Sequence, residues 1–278
     1  MRNVDADVRD GFGREWSTFT QGRSDLKDEE REQIFNQYFR LFPWNILSPT
    51  AEGLDAGCGT GRWAMLVAPR VGHLHLLDAS PAALTVARQN LSDARNVTFH
   101  LASVSDIPLR DNSLDFAYSL GVLHHVPDTL GAIKHIAAKL KPRSPFLIYL
   151  YYALDNRPIW FRAIWRTTNV ARLVISGFPN RLKSVTSGLI AAMIYWPIGR
   201  FCRLLGVLGI PTRSIPLEFY KDRSFYTMRT DAYDRFCTSL EKRFTRIEIE
   251  RLLGAAGFEQ IDFSDQMPFW CAVARKGE

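Results

Sequence analysis

"GLDAGCGTGRWA", residues 53–64, carries glycines at alternate positions, Gly57, Gly59 and Gly61, just after a short apolar run that contains Asp55. Glycine lets the backbone adopt left-handed φ and leaves room for a ligand against the main chain. A strand that feeds such a turn and then opens a helix offers unpaired N–H groups to a polar or anionic ligand. That is a general nucleotide cradle. The composition also suits the dinucleotide-binding turn G-x-G-x-x-G, or a tight strand–helix turn with no ligand. The spacing here is D-x-G-x-G-x-G, and a second acid, Asp78 in "LHLLDAS", stands 17 residues beyond Gly61. A carboxylate at the end of the next strand can accept both hydroxyls of a ribose.

Outward from this turn the sequence alternates. "AEGLDAG", "HLHLLDAS", "VTFHLAS", "LDFAYSLGVLHH" and "PFLIYLYYA" read as strands one to five. Between them "GRWAMLVAPRV", "PAALTVARQNL" and "DTLGAIKHIAAKL" read as helices, the second with Ser80 as N-cap and Pro81 in its first turn. Such repetition predicts an α/β fold, a parallel sheet with helices on both faces. Before it, residues 1–48 read as mostly helical, with Ile34, Phe35, Tyr38, Phe39 and Phe42 on one side. After Asn156 the rhythm breaks into a helical, basic and apolar insertion, residues 156–235. It resumes in 236–278 with the helix "TRIEIERLLGAAGF", stopped by Gly257, and two closing strands. The expected organisation is an N-terminal helical lid (1–48), a core (49–155), a helical cap (156–235) and a C-terminal return to the core.

The 278 residues carry a net charge of +6, and the excess is local. Residues 156–225 hold eleven Lys/Arg against Glu218 and Asp222, a net +9, so the rest of the chain carries −3. The four cysteines are far apart and form no CxxC or Cys/His ligand spacing, which argues against a metal site. The opening "MRNVDADVRDGFG" is charged and lacks the apolar centre of a signal peptide. Together these features predict a cytoplasmic setting. The most apolar stretch, "VTSGLIAAMIYWPIG" (185–199), falls short of the ~20 residues of a membrane span and contains Pro197. It is read as an amphipathic segment that can lie on a surface.

With the turn, the acid and two further stretches in order, the chain resembles the class I S-adenosylmethionine-dependent methyltransferases of the small-molecule type. The resemblance rests on "LDAGCGTG", "LLDAS", "VSDIPLRDNSLDFAYSLGVLHHVPD" and "LKPRSPFLIYL", covers about residues 50–152, and extends to "LLGAAGF". It implies a Rossmann-like seven-stranded sheet with a reversed final hairpin, and S-adenosyl-L-methionine across the strand ends. Carried over residue by residue, Asp55 would bond near the amino group, Gly57, Gly59 and Gly61 would approach the methionine and ribose, and Asp78 would hold the ribose hydroxyls. Ala79 would flank the adenine, and Leu120, in the fourth strand, joins the cofactor-binding set. Where the family often has an acid for the adenine amino group, this chain has Ser103. Val104 beside it would act through its backbone, and Asp106 is out of register.

Methyl transfer from a sulfonium is an in-line displacement. The protein must align nucleophile, methyl and sulfur, and exclude water. A base is needed only where the acceptor holds its proton tightly, as an alcohol does. His124 and His125, read at the end of strand four, are candidate bases, with a packing role as the alternative. Tyr149, Tyr151 and Tyr152, at the end of strand five, alternate in direction, so at most two face one pocket. Of these Tyr152 is the catalytic candidate and Tyr149 a substrate contact. In "GFGREWSTF", Phe12, Trp16 and Phe19 could fold over the sulfonium as a lid, or pack as an ordinary helix. Trp16 is therefore counted as a substrate contact, with Tyr220 and Tyr226 from the C-terminal part of the insertion. Asp231, Asp234 and Arg235 read as an ion-paired helix start.

The insertion itself admits three readings. It could cap a small-molecule substrate, with arginines meeting an anionic group. It could touch a membrane peripherally, bringing a lipid or isoprenoid substrate to the enzyme. Its apolar content argues against nucleic acid. The sequence therefore predicts a methyltransferase for a secondary metabolite, sugar or lipid-linked acceptor, modified at O or N. The other reading is a catalytically inactive S-adenosylmethionine-binding partner. Oligomeric state is left open.

Overall fold

The alternating apolar runs assemble into one sheet in the computed structural model, which describes residues 2–22, 24–212, 214–238 and 240–278. Its strands are β1 (Glu52–Ala56), β2 (His73–Asp78), β3 (Val97–Leu101), β4 (Phe116–Leu120), β5 (Pro145–Tyr149), β6 (Phe258–Phe263) and β7 (Cys271–Lys276). They lie in the order β3-β2-β1-β4-β5-β7-β6. The pairs β1–β2, β1–β4, β2–β3 and β4–β5 are parallel. Only β7 is reversed, antiparallel to both β5 and β6. This is the seven-stranded Rossmann-like sheet with a reversed final hairpin. Between β1 and β4 the strand order changes direction, which opens a crevice at the carboxyl ends of those two strands.

Strands β1, β4 and β5 are buried almost continuously because both of their faces are covered. On one face Leu54, Ala117 and Phe146 pack with Ile133 and Ile136 of helix α5 (Thr129–Lys139), and with Ile249 and Leu253 of helix α10 (Arg246–Ala255). On the other, Phe116, Tyr118 and Leu147 meet Phe35 of α2 (Asp28–Tyr38), Val67 of α3 (Ala64–Val67) and Leu84 of α4 (Pro81–Asn90). The helices start where side chains satisfy their free N–H groups. Ser80 caps α4 with Pro81 in the first turn, Asp128 caps α5, and Thr245 with Glu248 forms a capping box on α10.

Three elements are shorter than the sequence predicts. The segment "GRWAMLVAPRV" is α-helical only over Ala64–Val67 and then tightens to a 3₁₀ turn at Ala68–Arg70, where Pro69 has no N–H to continue the helix. Strand β4 stops at Leu120 because Gly121 turns the chain with φ +77°. His124 and His125 therefore sit in the loop after it. Strand β5 stops at Tyr149, its last residue paired with β7, so Tyr151 and Tyr152 lie beyond the sheet; Tyr152 keeps a single bridge to Phe244.

The chain divides into two units, one comprising residues 1–23, 31–155 and 240–278, the other 24–30 and 156–239. The first contains the sheet. It also takes in most of the 1–48 segment, including α1 (Ala6–Thr18), which packs on α4. A Cβ on Gly13 would stand 2.7 Å from Ser80 Oγ, so only glycine allows this approach. The second unit is helical: α6 (Ile159–Ser176), α7 (Asn180–Ile190), α8 (Trp196–Val207) and α9 (Phe225–Cys237). Residues 24–30 belong with it: the Glu30 carboxylate accepts the Ser224 N–H at 3.0 Å and the Thr227 hydroxyl at 2.8 Å.

The 185–199 segment corrects the sequence reading. It is the middle of a continuous 28-residue helix, Asn180–Val207, long and apolar enough to cross a membrane. Pro197 does not break it, because a π-helical turn over Ala191–Tyr195 comes just before α8 and holds residue 193, whose carbonyl a proline at 197 would otherwise crowd.

Phe146 is fully buried and stacks on Phe258 across β5 and β6, with ring centroids 5.2 Å apart. Phe146→Ala should lower unfolding free energy by about 3–5 kcal/mol, read from urea denaturation; a loss under about 1 kcal/mol would mean the hairpin closure does not depend on this pair.

Candidate cofactor site

The turn after β1 and the end of β2 are joined by one side chain. Asp78 Oδ2 accepts the Gly59 N–H at 2.9 Å and Oδ1 accepts the Ser80 N–H at 2.8 Å. The carboxylate thus fixes the glycine turn and the entry to α4 together. Burial raises its pKa, and the N–H groups of Ser80, Gly59 and Ala79 oppose that rise. Gly57 has φ +87°, and a Cβ there would lie 2.4 Å from Val122 Cγ1. The backbone at this point is bare because a side chain would collide with the loop after β4.

Around this turn lies a cavity with about 910 Å³ of empty space including its open mouth, a size suited to a nucleoside-sized ligand. All of its lining residues belong to the first unit. The floor is Gly57, Cys58, Gly59, Asp78 and Ala79; one side is Ser103, Val104, Leu120, Gly121 and Val122. The N-terminal segment forms the remaining wall through Asn3, Val8, Phe12 and Trp16. Trp16 stands directly over the turn, its Nε1 3.3 Å from where a Cβ of Gly59 would be.

The N-terminal wall is held by named bonds. Ser103, at the position where an acid was expected to meet adenine, donates its hydroxyl to the Arg2 carbonyl at 2.7 Å. Asn3 accepts the Asp128 N–H at 2.6 Å and donates to the Asp128 carbonyl at 2.7 Å. Further along, Thr60 donates to Gln21 Oε1 at 3.0 Å, and Asn90 donates to the carbonyls of Thr20 and Thr60, both at 2.9 Å.

Of the residues singled out in the sequence, the cavity brings together Trp16, Gly57, Gly59, Asp78, Ala79, Ser103, Val104, Leu120 and His125, with Phe12 beside them. Others lie elsewhere. Gly61 turns the chain with φ +74° against Leu91 and Ala87. Phe19 is core. Asp55 is buried beneath the turn, where Tyr118 donates to its Oδ2 at 2.9 Å. His124 is fully buried and stacks on Tyr151 at 3.8 Å. Tyr149 packs edge-on to Tyr38 at 5.1 Å, and Tyr152 beside Phe269 at 5.7 Å. Tyr220 and Tyr226 belong to the second unit, where Tyr220 donates to Asp231 at 2.9 Å and stacks near Tyr195. There Arg235 sits over the Trp165 ring at 5.6 Å. Asn3 and Gln21 approach this region with no periodic or motif signal in the sequence, whereas Cys58 and Arg62 lie within the stretch 53–64 itself.

Residues 54–148 match the family described as "Methyltransferase domain". Over these residues the first unit is similar to the class I S-adenosylmethionine-dependent methyltransferases. Among curated relatives, phosphoethanolamine N-methyltransferase 2 of Caenorhabditis elegans is 33% identical over 101 residues, 35% of this chain and 23% of that protein. The ubiquinone biosynthesis O-methyltransferase of Xanthomonas campestris pv. campestris is 30% identical over 135 residues, 48% of this chain and 55% of that one. The chain thus spans about half, or less, of the length of these relatives. Among solved structures, a candidate methyltransferase from Bacillus halodurans C-125 shares the fold with a TM-score of 0.52 at 15% identity, covering 83% of this chain and 70% of that one.

The cofactor of this family is S-adenosylmethionine, and the residues fit it. A turn too crowded for side chains brings bare backbone to the mouth of β1, a half-buried carboxylate ends β2, and aromatic rings stand opposite. In the methyltransferase domain Asp78 would meet the ribose, Ala79 and Val104 the adenine, and Gly57 to Gly59 the amino-acid part.

Burial lifts the Asp55 carboxyl to about 8, against the Tyr118 hydrogen bond and with added repulsion from Asp78. Its folded pKa thus lies above the ordinary 3.8 of the unfolded chain. The folded protein holds this proton across the interval, so stability falls as pH rises from about 4 to about 8. Asp55→Asn should lack that slope. Denaturation midpoints of native and variant protein, measured through this window, should show the native protein losing ground; parallel curves would exclude the assignment.

Proposed function

We propose that the chain is an S-adenosylmethionine-dependent methyltransferase that modifies an oxygen or nitrogen of a small molecule. The observation that carries this reading is the shared grip of the glycine turn and Asp78 on one cavity, 2.9 Å apart at Gly59 N–H. The names of the two curated relatives, an N- and an O-methyltransferase, support both acceptor atoms. S-adenosylmethionine supplies an activated methyl group on a sulfonium. What the protein must add is alignment of the acceptor and a dry, apolar surround. Phe12, Trp16, Val122 and Val126 provide apolar walls. The faces of Phe12 and Trp16, stacked with centroids 6.0 Å apart, suit a neighbouring cation.

His125 is the proton acceptor of this proposal. Its Nδ1 lies 2.6 Å from the Leu240 carbonyl, an atom that can only accept, so Nδ1 carries the hydrogen. In the neutral ring the lone pair is then on Nε2. The ring lines the cavity, with Phe12 against it at 4.8 Å. An alcohol or phenol acceptor needs such a base; a neutral amine does not. His124 does not line the cavity, and burial pushes its pKa well down, which suits a packing role beside Tyr151.

Calorimetric titration with S-adenosylmethionine, paired with transfer of labelled methyl to small molecules of a cell extract, tests the reading. Binding with no labelled product would indicate an inactive binding module instead. Asp78→Ala should weaken cofactor binding by about 1–3 kcal/mol, the loss of charge-assisted hydrogen bonds; unchanged affinity would remove this site. With an oxygen acceptor His125→Gln should lower kcat by about 10²–10⁴. Full activity of that variant would leave nitrogen as the acceptor.

A further inference from the structure

The second unit carries most of the chain's exposed large apolar side chains, and they fall on particular faces. Along the continuous helix Asn180–Val207 the inward positions are Ser187, Ala191, Tyr195, Gly199 and Cys202, mostly small and spaced three or four apart. The outward positions are larger: Leu182, Val185, Leu189, Met193, Trp196, Leu204 and Val207, each between 47% and 80% exposed. Their spacing of three, four or eight residues keeps them close to one line on the helix. An ordinary surface helix does the reverse, with its large residues inside and polar ones out. Helix α6 also turns large apolar side chains outward: Trp160, Ile164, Val170 and Val174 are 45% to 63% exposed. A contiguous apolar stripe of this kind marks an interaction surface rather than a solvated one.

Charge identifies the partner. Residues 156–217 include nine Lys/Arg and no Asp or Glu. Arg162 and Arg166 flank the apolar side of α6, and Arg181 and Arg203 lie along the long helix, all exposed. We propose that this helical unit lies on an anionic lipid surface. Trp, Leu, Met and Val would enter the headgroup–acyl boundary, and the arginines would meet lipid phosphates. The helix lies flat rather than spanning. It and α6 both pack on α9, which carries Arg229, Asp231, Asp234 and Arg235, and a bilayer crossing would draw these charges into hydrocarbon. This inference is independent of the methyltransferase reading: it concerns where the chain resides, not what it transfers.

The test uses the full chain and vesicles of phosphatidylcholine alone or mixed with phosphatidylglycerol, separated by flotation. At low salt the protein should float with the phosphatidylglycerol vesicles and be released by high salt. Leu189→Glu with Met193→Glu changes two outward, exposed positions, so the thermal melt should be unchanged while the vesicle-bound fraction falls below about a tenth of native. Arg162→Gln with Arg166→Gln should weaken partitioning about twenty-five-fold, at roughly fivefold per charge. The proposal is overturned by an absence of flotation on anionic vesicles at low salt, or by undiminished binding of the Glu pair. It is equally overturned by resistance to alkaline carbonate extraction, which would mean a spanning helix. Self-association through this face, seen by light scattering without vesicle binding, would assign the stripe to a second copy of the chain instead.

Discussion

The Asp78 carboxylate holds the site in shape. It ends β2, yet it bonds the turn that follows β1 and the residue that caps α4. Two neighbouring parallel strands are thereby locked at their carboxyl ends. The cost is visible in its raised pKa: a carboxyl is held away from water, compensated by backbone N–H donors. Preorganised donors and acceptors at a strand end are what a small polar ligand needs, because they need no rearrangement when it arrives. The rest of the first unit serves this arrangement. Apolar clusters cover both faces of the sheet and fix where the strand ends fall.

Much of this was legible in the sequence because it is written in short range. The turn and Asp78 are 17 residues from Gly61 to the acid, and each strand was an apolar run bounded by caps or glycines. The reversed last strand followed only from the family resemblance, since antiparallel pairing of β7 with β5 joins residues more than a hundred apart. Strand ends were overrun where apolar or aromatic residues continue past the pairing. "YLYYA" reads as strand, but beyond Tyr149 no neighbouring strand remains to pair with it.

The candidate site was legible in part for the same reason. Residues fixed by the turn's own geometry were found. Direction was harder: Asp55 belongs to the motif, but it is buried against Tyr118 rather than at the cavity wall. The two histidines are adjacent in sequence and differ completely in environment, one enclosed beside Tyr151 and the other on the cavity with a carbonyl fixing its tautomer. Asn3 and Gln21 were missed because nothing local marks a residue whose partners lie tens of residues away. The long helix was missed for an opposite reason. A proline normally ends such a run, and only the π turn before Pro197 lets it continue.

The wall made by residues 2–16 has a kinetic meaning. It is attached at its tip mainly through Asn3 on the Asp128 backbone and Ser105, and through Ser103 on the Arg2 carbonyl. The Asn3 bonds to the Asp128 backbone are exposed, and none of these residues belongs to either apolar cluster, so the segment can open without disturbing the sheet. In the proposed reading a spent nucleoside would leave as this segment peels back from the cavity, and turnover would follow how fast the segment peels and reseats.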